Sequence, residues 1–264
     1  MAEFGAKDVK ALRDATGAGM MDAKRALEEN DGDSEKAAKW LREQGITKSA
    51  GRADRENSQG AVAVASAANV AAFVELKCET DFTAKSPAFT ELVQKLADAV
   101  LADGEGAIDK YKDEVDDLKL TTKENIEVGK VAHVDASDGH VLDTYLHRQD
   151  GRGVNAVIIE LEGGSLELAH DIAVHAAFTK PRFVSREEVP EDAIAAEREA
   201  LEAITRNEGK PEAALPKIIE GKLDGWFRES VLLEQKFVRD EKQTIKQLLG
   251  DAKIIRFAQV IIGG

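Results

Sequence analysis

The sequence predicts an α+β protein. It reads as an N-terminal three-helix module, two related α+β lobes with small antiparallel sheets, and an antiparallel helical hairpin. Three patterns carry that expectation. Apolar residues recur at helical spacing through the first 46 residues. After residue 60 a strand–strand–helix order occurs twice. Between residues 184 and 228 two apolar stripes flank a Gly209-Lys210-Pro211 breaker.

The elements follow in chain order. Val9 and Leu12 mark a short first helix that stops near Gly17. A second runs from about 20 to 29, with Ala23, Ala26 and Leu27 on one face. Asp33 suits the N-cap of a third, where Ala37, Trp40 and Leu41 repeat at i, i+3 and i+4; Gly45 is expected to end it. Some 45 residues bury only a small core, so the module is marginal by itself. Residues 47–60 (TKSAGRADRENSQG) are polar, mixed in charge and aperiodic, as a linker would be.

Then come apolar runs at 61–66 and 70–76, and a helix over about 87–101 opened by Ser86-Pro87. Its Phe89, Leu92, Val93, Leu96, Ala97, Val100 and Leu101 form one amphipathic face. Runs at 141–146 and 154–161 and a helix near 166–178 repeat the order, with only weak residue-level likeness between the two halves. Ile194, Leu201 and Ile204 form one later stripe; Leu215, Ile218, Ile219, Leu223, Trp226 and Phe227 form the other. Packed together they make an antiparallel coiled-coil hairpin near 185–228; the alternative is that both helices lie on the sheet. A helix near 241–249 and a strand-like run at 254–262 complete the reading. The expected domains are therefore 1–46, a linker at 47–60, 61–139, and 140–264 including the hairpin.

Charge narrows the function. The net charge is −14, and residues 103–117 hold seven acids against two lysines. Such a field repels phosphate backbones, which argues against direct nucleic-acid or anionic-membrane binding. A basic protein surface would be attracted. The lone cysteine, Cys78, cannot form an internal disulfide and reads as a small buried hydrophobe in a reducing compartment. With no signal pattern and no apolar run near 18 residues, a cytosolic location is expected.

Catalytic motifs are scarce. The loop Thr16-Gly17-Ala18-Gly19-Met20-Met21 has no preceding strand and no Gly-Lys-Ser/Thr ending, so it is no nucleotide loop. Its glycines suit a tight helix-to-helix turn, and Met20 and Met21 serve either as an adaptable protein-binding patch or as core. His170 and His175 point about 140° apart on a helix, which rules out a two-histidine metal face. Metalloprotease, hydrolase-elbow and Cys-x-x-Cys patterns are absent from the sequence. Nothing places Cys78 beside His147, which ends a strand before the polar turn Arg148-Gln149-Asp150-Gly151 and reads as a surface residue or a contact. No catalytic residue, metal ligand or cofactor is expected.

The most informative stretch is Cys78-Glu79-Thr80-Asp81-Phe82-Thr83-Ala84-Lys85. A nearly all-apolar strand stops, and an Asp-Phe pair precedes the next helix start. An aromatic beside a carboxylate on a short turn is suited to insertion into another molecule. Those eight residues also allow Phe82 to be core and Asp81 to be a helix-start charge.

This stretch, with Leu12-Arg13, Thr16 to Lys24, Ala26-Leu27, Tyr145-Leu146-His147, Gly153-Val154, Ile172 to His175 and Lys180-Pro181, resembles bacterial elongation factor Ts over essentially the whole chain. The resemblance implies a guanine-nucleotide exchange factor for the GTPase elongation factor Tu, not an enzyme, bound to it as a heterodimer or higher assembly. It implies a ubiquitin-associated-like (UBA-like) helical domain, a two-subdomain core and a coiled-coil protrusion that grips the partner. Thr80, Asp81, Phe82 and Thr83 match the turn that enters the GTPase near its magnesium ion and dislodges it, so that GDP leaves. His147 matches a contact of the second subdomain, and Met20 and Met21 lie where the helical domain meets its partner. Two departures stand out: Thr83 occupies a position where valine is common, and the sequence stops at Gly264 without the extra C-terminal helix some members carry. The alternatives are an acidic adaptor that binds without driving exchange and a thiol hydrolase using Cys78.

Overall fold

The computed structural model describes residues 4–50 and 54–263, the side chains of 45–50 excepted. Helices α1 (Ala6–Thr16), α2 (Met20–Glu29) and α3 (Ser34–Ala50) pack around Val9, Leu12, Ala23, Ala26, Leu27 and Ala37. Asp33 caps α3, its carboxylate accepting from the Glu35 and Lys36 amides at 3.1 and 3.0 Å. Gly17 ends α1 in the left-handed conformation, with φ 68° and its amide bonded to the Arg13 carbonyl. Gly45 does not end α3, which continues to Ala50. A mid-helix glycine costs only about 1 kcal/mol relative to alanine, so it is a weak stop where the flanking residues favour helix. Of the expected linker, residues 51–53 lie outside the described residues, and the next strand begins at Gln59.

The chain divides into two compact units. The first contains the described residues of Met1–His133, Leu146–Ala156 and Val260–Gly264. Its strands β1 (Gln59–Ala67) and β2 (Val70–Cys78) pair antiparallel, from Gln59 opposite Cys78 to Ala67 opposite Val70. A single helical turn, α4 (Asp81–Ala84), leads to α5 (Pro87–Asp103), which buries Phe89, Leu92, Val93, Leu96, Ala97 and Val100. These side chains meet Val74, Leu76, Cys78 and Ala84 in one core. Ser86 caps α5 and Pro87 occupies its first turn. A 3₁₀ stretch, α6 (Lys112–Thr122) and β3 (Glu127–Asp135) follow, with β3 hydrogen-bonded to β2. Sequence reasoning missed α6 and β3. Only Val115 and Leu118 of α6 are buried, and β3 is mostly half-buried, so neither shows a strong apolar period.

Strands β4 (Val141–Gln149), β5 (Arg152–Glu162) and β8 (Lys253–Ile261) form a second sheet in the order β4-β5-β8. The β4–β5 hairpin turns through Asp150 and Gly151, at φ 52° and 81°, as a two-residue hairpin loop requires. In the second unit, α7 (Leu166–Thr179) covers Val157, Ile159 and Leu161 with Ala169, Ile172, Ala173 and Ala176. Helices α8 (Glu191–Asn207) and α9 (Leu215–Ser230) make the expected hairpin. Leu223 and Phe227 of α9 cluster with Ile194 and Leu201 of α8, separately from the sheet core. The helix expected near 241–249 is shorter: Asp240–Thr244 is strand β7, paired with β6 (Lys236–Phe237), and only Ile245–Leu249 is helical, as α10. The Glu-Lys-Gln run favours helix by propensity, and pairing with β6 overrides it.

Candidate functional site

Strand β2 is buried on both faces from Ala71 to Leu76 and ends at Cys78. This makes it a rigid support. Thr80 is extended and caps α4, its hydroxyl accepting from the Thr83 amide at 3.2 Å. Ser86 fastens the other end, donating to the Thr83 carbonyl at 2.8 Å and accepting from the Phe89 amide at 3.4 Å. The Asp-Phe pair therefore sits on a helical turn held between two caps.

Glu124, from the α6–β3 connection, lies beneath that turn. Its Oε2 accepts from the amides of Glu79 and Thr80 at 3.0 and 3.1 Å. Its Oε1 accepts from the hydroxyls of Thr80 and Thr83 at 2.7 and 2.6 Å. Glu79 reaches the other way, accepting from the Asn125 amide at 2.6 Å. Thr83 is buried with Ala84, and Phe82 is left 83 % exposed. The core reading of Phe82 is thus excluded: the ring points away from its own unit. Asp81 pairs with Lys85 at 2.7 Å, and that hydrogen bond holds its carboxyl below the ordinary aspartate value.

Lys85 also meets Asp150 at 3.3 Å, so one ammonium joins the α4 turn to the tip of the β4–β5 hairpin. Below the tip, Arg152 donates to the Gly60 carbonyl at 2.5 Å and to Gln59 Oε1 at 3.1 Å. Gly153 lies so close to β1 that a Cβ there would stand 2.2 Å from the Val62 carbonyl oxygen. Of the residues singled out by sequence, Thr80, Asp81, Phe82 and Thr83 share one turn. His147 is exposed on β4, on the hairpin whose Asp150 meets Lys85. Met20 and Met21 stand elsewhere, 47 % and 70 % exposed at the start of α2, which excludes their core reading.

The profile of the family described as Elongation factor TS matches residues 79–264, a span that opens at this turn. Full-length similarity is equally direct. The chain is 43 % identical over 277 residues to an "Elongation factor Ts" of Acidothermus cellulolyticus, covering 100 % of this chain and 99 % of that protein. It is 41 % identical over 280 residues to one of Renibacterium salmoninarum, covering 100 % of each. One from Mycobacterium ulcerans is 41 % identical over 266 residues, covering 96 % of this chain and 95 % of that protein.

The chain belongs to the elongation factor Ts family. Its role is that of a translation elongation factor. What the chain presents at the turn is an aromatic ring and a paired carboxylate on a fixed support. Cys78 is fully buried, and burial pushes its thiol up to about 12, which leaves it protonated and unreactive. His175 is buried, held between Gln235 at 2.9 Å and the Val238 amide at 3.3 Å. Among the described residues no group of three or more His, Cys, Asp or Glu could hold a metal ion, and no helix is long and apolar enough to cross a membrane. Sequence reasoning missed Glu124 and Lys85 as partners of this turn. Lys85 is four residues from Asp81, a helical pairing distance that could have been read. Glu124 is 44 residues from Thr80 and follows a helix that was itself unrecognised.

Proposed function

We propose that this chain is a cytoplasmic guanine-nucleotide exchange factor for elongation factor Tu. It binds the GDP-bound GTPase as a heterodimer or higher assembly and inserts the Asp81-Phe82 turn near the bound magnesium. Loss of that ion loosens the phosphate site, GDP leaves, and GTP takes its place. The carrying observation is Phe82, 83 % exposed on a turn fixed at both ends. A ring on a turn capped at both ends is kept out of its own core, and a rigidly presented aromatic beside a carboxylate is suited to burial in another molecule.

Exchange breaks no covalent bond. The factor binds nucleotide-free GTPase more tightly than the GDP form, and linkage makes GDP bind the complex more weakly by the same factor. Moving a site from mostly occupied to mostly empty takes roughly 5 kcal/mol of such difference. Burying one phenylalanine supplies at most about 3 kcal/mol. Further contacts must therefore hold the turn in place. We assign these to Met20 and Met21 of a UBA-like helical domain, whose α3 runs on to Ala50, and to His147 and the hairpin of the core, with subdomains at 61–139 and 140–264. Thr80 and Thr83 act from below the turn, since both hydroxyls are committed to Glu124. Asp81 brings a carboxylate to a site where the magnesium ion is the largest local charge.

Release of labelled GDP from elongation factor Tu tests the reading. The factor should accelerate release well above the intrinsic rate. Tight binding with release at the intrinsic rate would mean an adaptor instead.

A further inference from the structure

We propose that Glu124 is the positioning residue of the Asp81-Phe82 turn: its carboxylate holds the turn in the shape that projects Phe82. This rests on the exchange reading above and adds to it the group that prepares the turn for insertion. Phe82 makes no packing that could fix its own backbone, being 83 % exposed. The α4 helix has only four residues, too few to be stable by its own hydrogen bonds. Beside the caps at Thr80 and Ser86, four bonds converge on Glu124, from the Glu79 and Thr80 amides and the Thr80 and Thr83 hydroxyls, and they tie the turn to the rest of its unit. Hydrogen bonds to a charged acceptor are about twice as strong as neutral ones. The Thr80 hydroxyl that donates to Glu124 also accepts from the Thr83 amide, so the carboxylate orients the cap of α4 as well.

Glu124 is itself held in place. Lys123 caps α6 in the left-handed conformation, at φ 61°, which turns the chain from helix α6 towards strand β3. The Thr122 hydroxyl accepts from the Glu124 amide at 3.3 Å. Asn125 completes a reciprocal pair: its amide donates to Glu79 at 2.6 Å while the amide of Glu79 donates to Glu124. Its side-chain amide donates to the Arg55 carbonyl at 2.8 Å. The connection and the turn are thus tied by backbone amides in both directions.

Without the carboxylate, the turn samples conformations in which Phe82 is not presented, and only the competent fraction inserts. The test compares Glu124→Ala, Glu124→Gln and Phe82→Ala in the full-length protein by two readouts. The first is amide hydrogen exchange. Glu124→Ala should lose protection at Glu79, Thr80 and Thr83 while the β2 amides keep theirs, which excludes global unfolding. The second is GDP release from elongation factor Tu. Glu124→Ala should lower the saturating rate on the order of tenfold, with a much smaller change in half-saturating concentration. Glu124→Gln should restore part of both, because its carbonyl oxygen still accepts from the two amides. Unchanged protection in Glu124→Ala overturns the assignment. So does lost protection with normal release, when Phe82→Ala is impaired. If Phe82→Ala releases GDP at the full rate, the insertion reading fails instead, and amide protection alone decides whether Glu124 holds the turn.

Discussion

At the scale of single residues, the site separates what supports from what projects. Thr80 and Thr83 look equivalent to Asp81 and Phe82 in a four-residue motif, yet their hydroxyls point inward to Glu124. Phe82 and the Asp81–Lys85 pair face outward and make no bond to Glu124. Cys78 shows how burial silences a reactive group. Its thiol also donates to the Thr80 carbonyl at 3.2 Å, a weak bond beside the four that Glu124 accepts. With its pKa raised to about 12, the thiolate fraction at pH 8 is on the order of one in ten thousand. A thiol-specific colorimetric reagent at pH 8 should therefore leave the native protein unlabelled while labelling the denatured chain, and Cys78→Ala should keep full exchange activity. Fast stoichiometric labelling of native protein, or a folded but inactive Cys78→Ala, would revive the thiol-hydrolase alternative.

Single elements show where local pattern was enough and where it was not. Helix α5 could be read in full, since seven apolar residues fall on one face behind a Ser-Pro start. Strand β2 and the Asp150-Gly151 hairpin were equally plain. Helix α6 was hidden because its acids outnumber its apolar residues, and β7 because its polar run favours helix until β6 pairs with it. The aromatic-acidic turn was readable as a candidate, but its fixing was not, because Glu124 arrives from 41 to 45 residues away. Helix α7 adds a pH dependence. Burial lowers the pKa of His175 from its ordinary 6.5, and the folded protein keeps the ring neutral against Gln235 and Val238. The unfolded chain takes up that proton below pH 6.5 while the folded one resists. Stability from this group is therefore full above pH 6.5 and declines as pH falls towards the lowered folded value, by at most about 1.4 kcal/mol per pH unit. Thermal midpoints between roughly pH 7.5 and 5.5 should fall more steeply for wild type than for His175→Gln. Equal slopes would mean that His175 titrates alike in both states.

At the scale of the whole molecule, 264 residues with a net charge of −14 fold into two compact units, with a small helical module in the first and a helical hairpin in the second. In the exchange reading the small helical module, the sheet-and-helix support and the helical hairpin each take a share of the partner's contacts, because one buried phenylalanine does not supply enough binding difference by itself. On that proposal their joint role is to keep one aromatic side chain where it can act, and exchange then follows from a difference in binding. Stopped-flow GDP release from elongation factor Tu, at increasing concentrations of wild type and Phe82→Ala, measures this most directly. The saturating rate of Phe82→Ala should fall by about tenfold or more, the loss of some 1.4 kcal/mol or more from the release step. Its half-saturating concentration should move far less, because the other surfaces still bind. An unchanged saturating rate, with only weaker binding, would show that the exposed ring is a point of attachment and that nucleotide is displaced from elsewhere.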